Sequence, residues 1–290
     1  MKRTLHTCIL LATALLAGAS QAAAPRAFTV EVTGQGRPLI LIPGLASSGE
    51  VWQGTVARLC APQAGRQCHV LTLAGFAGVP PVDGDLLARA EEQLAGYIAA
   101  KKLGQPAIIG HSLGGFLALK MAIGHPGQTG KLVIVDALPA LGALQLPTIA
   151  PQQLQDMAAQ MRTAMHGQDA ASFAEGQRRS VAGMAGKPED VARILDWGRR
   201  SDRNSVIDAM ATLMGTDLRQ EVAKVQSPTL VLGTWAAYRD YTTRAAVENT
   251  FHAQYQRLPG VQIALADTAR HFIMYDEPDW MLGRIEQFLD

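Results

Sequence analysis

The sequence predicts an α/β protein: a mostly parallel central sheet with helices on both faces, interrupted by one all-helical insertion. Three observations carry this expectation. Short apolar runs alternate with helical patterns from residue 28 onward. Several of those runs are continuously apolar, as expected of strands buried on both faces of a parallel sheet. Roughly 90 residues between Asp136 and Ser227 carry no strand pattern, too many for an unstructured loop.

Each element has its own local reason. Phe28–Thr33 alternates apolar and polar residues and leads through Gly-Gln-Gly-Arg-Pro into Leu39–Ile42, an unbroken apolar run. Ser47 and Ser48 are placed to cap a helix over Glu50–Leu59, and His69–Leu73 reads as the next strand. Asp83 or Asp85 starts a long amphipathic helix that Gly104 ends. Ala107–Ile109 is a short strand, Leu113–Ile123 a helix stopped by Gly124 and Pro126, and Leu132–Val135 another strand. Within the insertion, 151–166, 170–185, 188–200 and 205–214 read as helices, with Met157, Met161 and Met165 repeating every four residues. Thr229–Leu232 and Val261–Leu265 close the strand set, accompanied by helices over Thr243–Gln256 and Trp280–Phe288. The expected division is therefore 1–22 a signal peptide, 23–137 and 227–290 two parts of one core, and 138–226 the helical insertion.

The first residues are read as a targeting segment. Lys2 and Arg3 precede the apolar run Cys8–Ala17, and Ser20-Gln21-Ala22 offers small residues for cleavage after Ala22 or Ala24. That run is too short to span a membrane, and no later segment reaches the required length, so no stable membrane insertion is expected. Loss of residues 1–22 takes Lys+Arg from 26 to 24 against 25 acids, a net charge of −1. Such a surface gives no electrostatic pull toward nucleic acid. Export to a periplasmic or extracellular space leaves Cys60 and Cys68, which are expected to form a disulfide in an oxidising compartment.

Chemistry first shows at residues 106–126. Gly110-His111-Ser112-Leu113-Gly114 places a G-x-S-x-G pattern between a strand and a helix. In that sharp turn a serine hydroxyl is lifted clear of the sheet, and the following helix N-terminus favours developing negative charge. A serine needs a base. Of the seven histidines, His271 sits on the connection between the last strand and the last helix, from which it can reach Ser112. Backbone N–H groups of Leu113 and Leu45, with Ala46 as the alternative to Leu45, are the expected oxyanion donors. Trp235 and Tyr238 are candidate pocket residues, as are the leucines at 138, 141, 144 and 146.

These motifs resemble those of the α/β-hydrolase superfamily: Pro43-Gly44-Leu45 through Trp52, the elbow Gly110–Gly115, and Asp267–Pro278 around His271. The resemblance covers nearly all of the chain beyond the signal segment except the insertion, which is similar to a helical cap. It implies acyl transfer through an acyl-enzyme, without metal or other cofactor, on a small and largely apolar carboxylic ester or lactone. Amidase, C–C hydrolase and perhydrolase chemistry on the same fold are the alternatives, as is a ligand-binding protein that has lost the chemistry. The order serine, acid, histidine leaves two candidate acids. Asp240 follows the penultimate strand and is preferred; Asp136, which ends the strand after the nucleophile helix, is the alternative. Asp267 is too near His271 along the chain and is expected to brace the loop.

Overall fold

The computed structural model describes residues 26–290, so the expected signal peptide lies outside the described residues. Among the described residues, seven strands form one sheet: β1 (Phe28–Gly34), β2 (Arg37–Ile42), β3 (Arg66–Leu73), β4 (Ala107–His111), β5 (Leu132–Val135), β6 (Thr229–Thr234) and β7 (Gln262–Ala266). Their order is β1-β3-β2-β4-β5-β6-β7; β1 pairs antiparallel with β3, and every other pairing is parallel.

The apolar runs explain why this sheet is covered on both sides. Alternate residues of one strand face opposite ways. Ile40, Ile42, Ile108, Ile134 and Val231 join a core with α2 (Leu86–Ala100), α3 (Leu113–Gly124) and α8 (Arg244–Tyr255). Leu39, Leu41, Ile109, Val133, Val135, Leu230 and Leu232 face the other core, with α1 (Gln53–Leu59), α9 (Ile273–Asp276) and α10 (Pro278–Leu289). The helix expected over Glu50–Leu59 is divided, a 3-10 turn over Gly49–Trp52 preceding α1. Ser48 caps that turn, accepting a hydrogen bond from the Glu50 amide, and Asp85 rather than Asp83 caps α2.

Between β5 and β6 the chain forms α4 (Pro151–His166), α5 (Ala170–Ala182), α6 (Pro188–Arg200) and α7 (Arg203–Gly215), with no strand. The Cys60–Cys68 disulfide is formed, tying the end of α1 to β3. Among the described residues, no helix is long and apolar enough to cross a membrane.

Parallel pairing sets the position of the site. The C-terminal ends of β2, β4, β5, β6 and β7 lie along one edge of the sheet, and the chain leaves each there. In an open α/β sheet that edge is where ligands bind.

Candidate active site

Ser112 follows directly on β4 and caps α3, with backbone angles φ 52° and ψ −119°. A positive φ is strained for a residue with a side chain, and strain of this kind persists only where the surroundings enforce it. They do so here through glycine. A Cβ on Gly110 would lie 2.2 Å from the Gly114 carbonyl oxygen, and one on Gly114 would lie 2.3 Å from that of Ile42. The turn therefore closes only with glycine at both positions.

Register then sets a carboxylate beside the nucleophile turn. His111 pairs with Val135 across β4 and β5, so Ser112 and Asp136 are the next residues on neighbouring strands. The Ser112 amide donates to Val135 O, and the Asp136 amide donates to Leu232 O on the far side. Asp136 also has a positive φ, 45°, which turns the chain at the sheet edge. One carboxylate oxygen accepts the Thr234 amide at 3.0 Å, and the other lies 2.6 Å from His271 Nδ1. Facing a carboxylate, Nδ1 carries the proton and Nε2 is left as the basic nitrogen.

The carboxylate facing His271 is thus that of Asp136, the alternative, and not that of the preferred Asp240. The Trp235–Arg239 stretch after β6 folds into a 3-10 turn over Ala236–Tyr238 and carries the Asp240 carboxylate out to solvent. Asp267 lies on the surface side of the loop and pairs with Arg244 of α8.

The loop that carries His271 is held at nearly every peptide. Glu277 accepts the amides of Thr268 and Ala269, and the Thr234 hydroxyl donates to Ala269 O. His111, fully buried, donates from Nε2 to His271 O at 3.0 Å. Burial, and next the nearby His271, push the His111 pKa well below its ordinary value; the bond to the His271 carbonyl acts weakly the other way. A neutral ring at this position adds no competing charge to the site.

The loop after β2 lies against the nucleophile, since a Cβ on Gly44 would be 3.2 Å from Ser112 Cβ. Ser47 donates its amide to Gly44 O and its hydroxyl to Leu45 O. In a trans peptide the N–H points opposite its C=O, so the amides of Leu45 and Ala46 face away from Ser47. The Leu113 amide is the first of α3 and has no partner within the helix.

Ser112, Asp136 and His271 open into one cavity of about 460 Å³. Its walls are mostly apolar: Leu138, Leu141 and Leu144 after β5, Leu213 of α7, and Val247 and Phe251 of α8. Tyr238, Tyr241, Thr242, Thr250 and Gln145 add hydroxyl and amide groups, and among the described residues no lysine or arginine lines it. Burial, and then the negative charge of Asp136, raise the Tyr238 pKa, so its phenol stays protonated. Trp235, the other candidate, is outside this lining and packs, partly buried, against the core. The methionine stripe also stays out of the cavity, with Met157 exposed, and Leu146 is exposed as well. The α8 wall carried no signal in the sequence, because its lining residues differ from core residues only in where the helix is docked. Among the described residues, no group of three His, Cys, Asp or Glu side chains is placed to hold a metal ion.

The sequence profile of the Alpha/beta hydrolase family matches residues 39–284. A pimeloyl-[acyl-carrier protein] methyl ester esterase of Aeromonas hydrophila is 25% identical over 90% of this chain and 98% of its own. The N-formylmaleamate deformylase of Pseudomonas putida is 26% identical over 89% and 90%. Among solved structures, the esterase of Exiguobacterium antarcticum superposes with a TM-score of 0.73 at 16% identity, covering 90% of this chain and 95% of its own. The enol-lactonase of Burkholderia xenovorans does so with 0.69 at 17% identity, covering 90% and 96%.

Proposed function

As the chain belongs to the Alpha/beta hydrolase family, we propose that it is a serine hydrolase cleaving a small, largely apolar carboxylic ester or lactone. The observation that carries this reading is a strained serine and an Asp136–His271 pair opening into one apolar cavity. Names among the relatives support ester and lactone chemistry.

In the proposed reaction, Ser112 Oγ attacks the substrate carbonyl carbon while its proton passes to His271 Nε2. The amides of Leu113 and Leu45 stabilise the oxyanion of the tetrahedral intermediate. Collapse breaks the bond to the alcohol oxygen, which leaves with the proton from Nε2, and the acyl group stays on Ser112. Water then attacks the acyl-enzyme with His271 as base, releasing the acid and restoring the serine. Asp136 keeps the imidazole in the reactive tautomer and stabilises its charged form. Tyr238, on the cavity wall, is the proposed substrate contact. The disulfide supports the reading of an exported protein.

A panel of aryl esters with graded acyl length, run beside lactones and amides, tests the assignment. Turnover of short to medium esters is expected. Turnover of amides alone would transfer the function to C–N cleavage, the chemistry that the deformylase's name describes.

A further inference from the structure

The helical insertion divides into two parts that touch different pieces of the site. Leu213 of α7 and Leu138, Leu141 and Leu144 wall the cavity. The turn between α5 and α6 does something else: it is bonded to the loop that carries His271. Phe272 donates its amide to Met184 O at 3.0 Å, and Arg270 donates from Nη1 to Ala185 O at 3.1 Å. Asp276 completes the junction. One of its oxygens accepts the Gly186 amide and the other accepts the Arg270 amide, both at 2.8 Å.

Packing agrees with the bonding. Ala185, Ile194 and Trp197, in the turn and α6, lie in one core with Phe272, Ile273 and Met274, whereas Phe173 of α5 and Val206, Ile207 and Leu213 of α7 belong to the core on the opposite face. The turn also comes in close, since a Cβ on Gly186 would lie 3.1 Å from the Asp276 carboxylate.

We propose that Asp276 is a positioning residue, which bridges the α5–α6 turn to the His271 loop and thereby fixes the imidazole for proton transfer. The bridge needs two acceptors. An asparagine offers one acceptor oxygen and one donor group, so it can satisfy one of the two amides and opposes the other. The insertion on this account is not a uniform lid: its α5–α6 half aligns the base, and its α7 half shapes the cavity. The proposal rests on the ester-hydrolase reading for its kinetic consequence but not for its structural one.

The test combines kinetics with proton NMR of the resting protein, the His271 Nδ1–H signal being assigned by its loss in His271→Gln. Asp276→Ala is expected to lower kcat by up to about 10²-fold through misplacement of the base, with KM within about twofold. Its Nδ1–H signal broadens as exchange with water quickens, and Asp276→Asn lies between Ala and wild type. Leu213→Ala, from the other half, is expected to raise KM and leave the Nδ1–H signal sharp. If Asp276→Ala fails to fold, Asp276→Asn, which keeps the shape and satisfies one of the two amides, takes its place with a smaller loss in kcat. A folded Asp276 variant with wild-type kcat and a sharp signal overturns the proposal, as does a loss confined to KM. A broadened signal in a protein that hydrolyses none of the esters retains the bridge and removes only the hydrolase reading.

Discussion

His271 Nδ1 lies 2.6 Å from an Asp136 oxygen whose partner oxygen is held by the Thr234 amide, so the acid is anchored to β6 as it faces the imidazole. An amide at this position keeps the shape and loses the function. Asp136→Asn is expected to lower turnover on the order of 10⁴-fold near neutral pH with the fold intact, while Asp240→Asn stays within about twofold of wild type. Steady-state rates and thermal melts of both variants check this. An inactive Asp240→Asn beside an active Asp136→Asn contradicts the assignment.

The cavity predicts charge selectivity. Its walls are mostly apolar with hydroxyl and amide groups, and among the described residues they offer no lysine or arginine to a carboxylate. Burying an unpaired carboxylate is costly. Paired substrates of equal length, one ending in methyl and one in carboxylate, should differ by at least about 10²-fold in kcat/KM in favour of the methyl form. Near-equal values would show that charge is accommodated elsewhere.

Much of this could be read from the residues, and the failures have physical causes. Strand runs are local, and so is part of the glycine elbow: Gly110 is required by the Gly114 carbonyl within the same turn, whereas Gly114 is required by the Ile42 carbonyl at the end of β2. The acid is not local. Asp136, and not Asp240, is brought to His271 by the β4–β5 register and by the β6 amide of Thr234, relationships between strands distant in sequence. The spacer after β6 could not be read as turning outward, since Trp235–Arg239 has the composition of either a loop or a pocket wall. The α8 contribution to the cavity, and the bracing of the His271 loop by His111, Thr234 and Glu277, are likewise tertiary.

The Glu277 carboxylate gives a prediction in pH. Desolvation raises its pKa, but hydrogen bonds from the Thr268 side chain and backbone and from the Ala269 amide outweigh that and hold it below the ordinary value. A folded pKa below the unfolded one contributes stability that is present above the unfolded value and lost as pH falls through the folded one. Wild type should therefore lose stability relative to Glu277→Gln as pH drops below about 4.5, the ordinary glutamate value. Chemical denaturation at pH 7 and pH 3.5 measures the gap, and a gap that is constant across this range refutes the role of the carboxylate.

The disulfide closes a short loop, with a sequence separation of 8 between Cys60 and Cys68. Chain-entropy arguments for a loop of this size give about 2.5 kcal/mol. Replacing both cysteines with alanine should lower the unfolding free energy by roughly that amount and leave kcat unchanged, since neither residue lines the cavity. A large loss of kcat in a stable double variant would contradict this.

The central claim is that Ser112 is a nucleophile activated by the Asp136–His271 pair, and covalent labelling tests it most directly. A fluorophosphonate probe, followed by intact mass and peptide mapping, should give one adduct per chain, located on Ser112. The adduct should be absent from Ser112→Ala and form far more slowly in Asp136→Asn. No adduct on the folded wild type, or an adduct that persists in Ser112→Ala, would contradict the account.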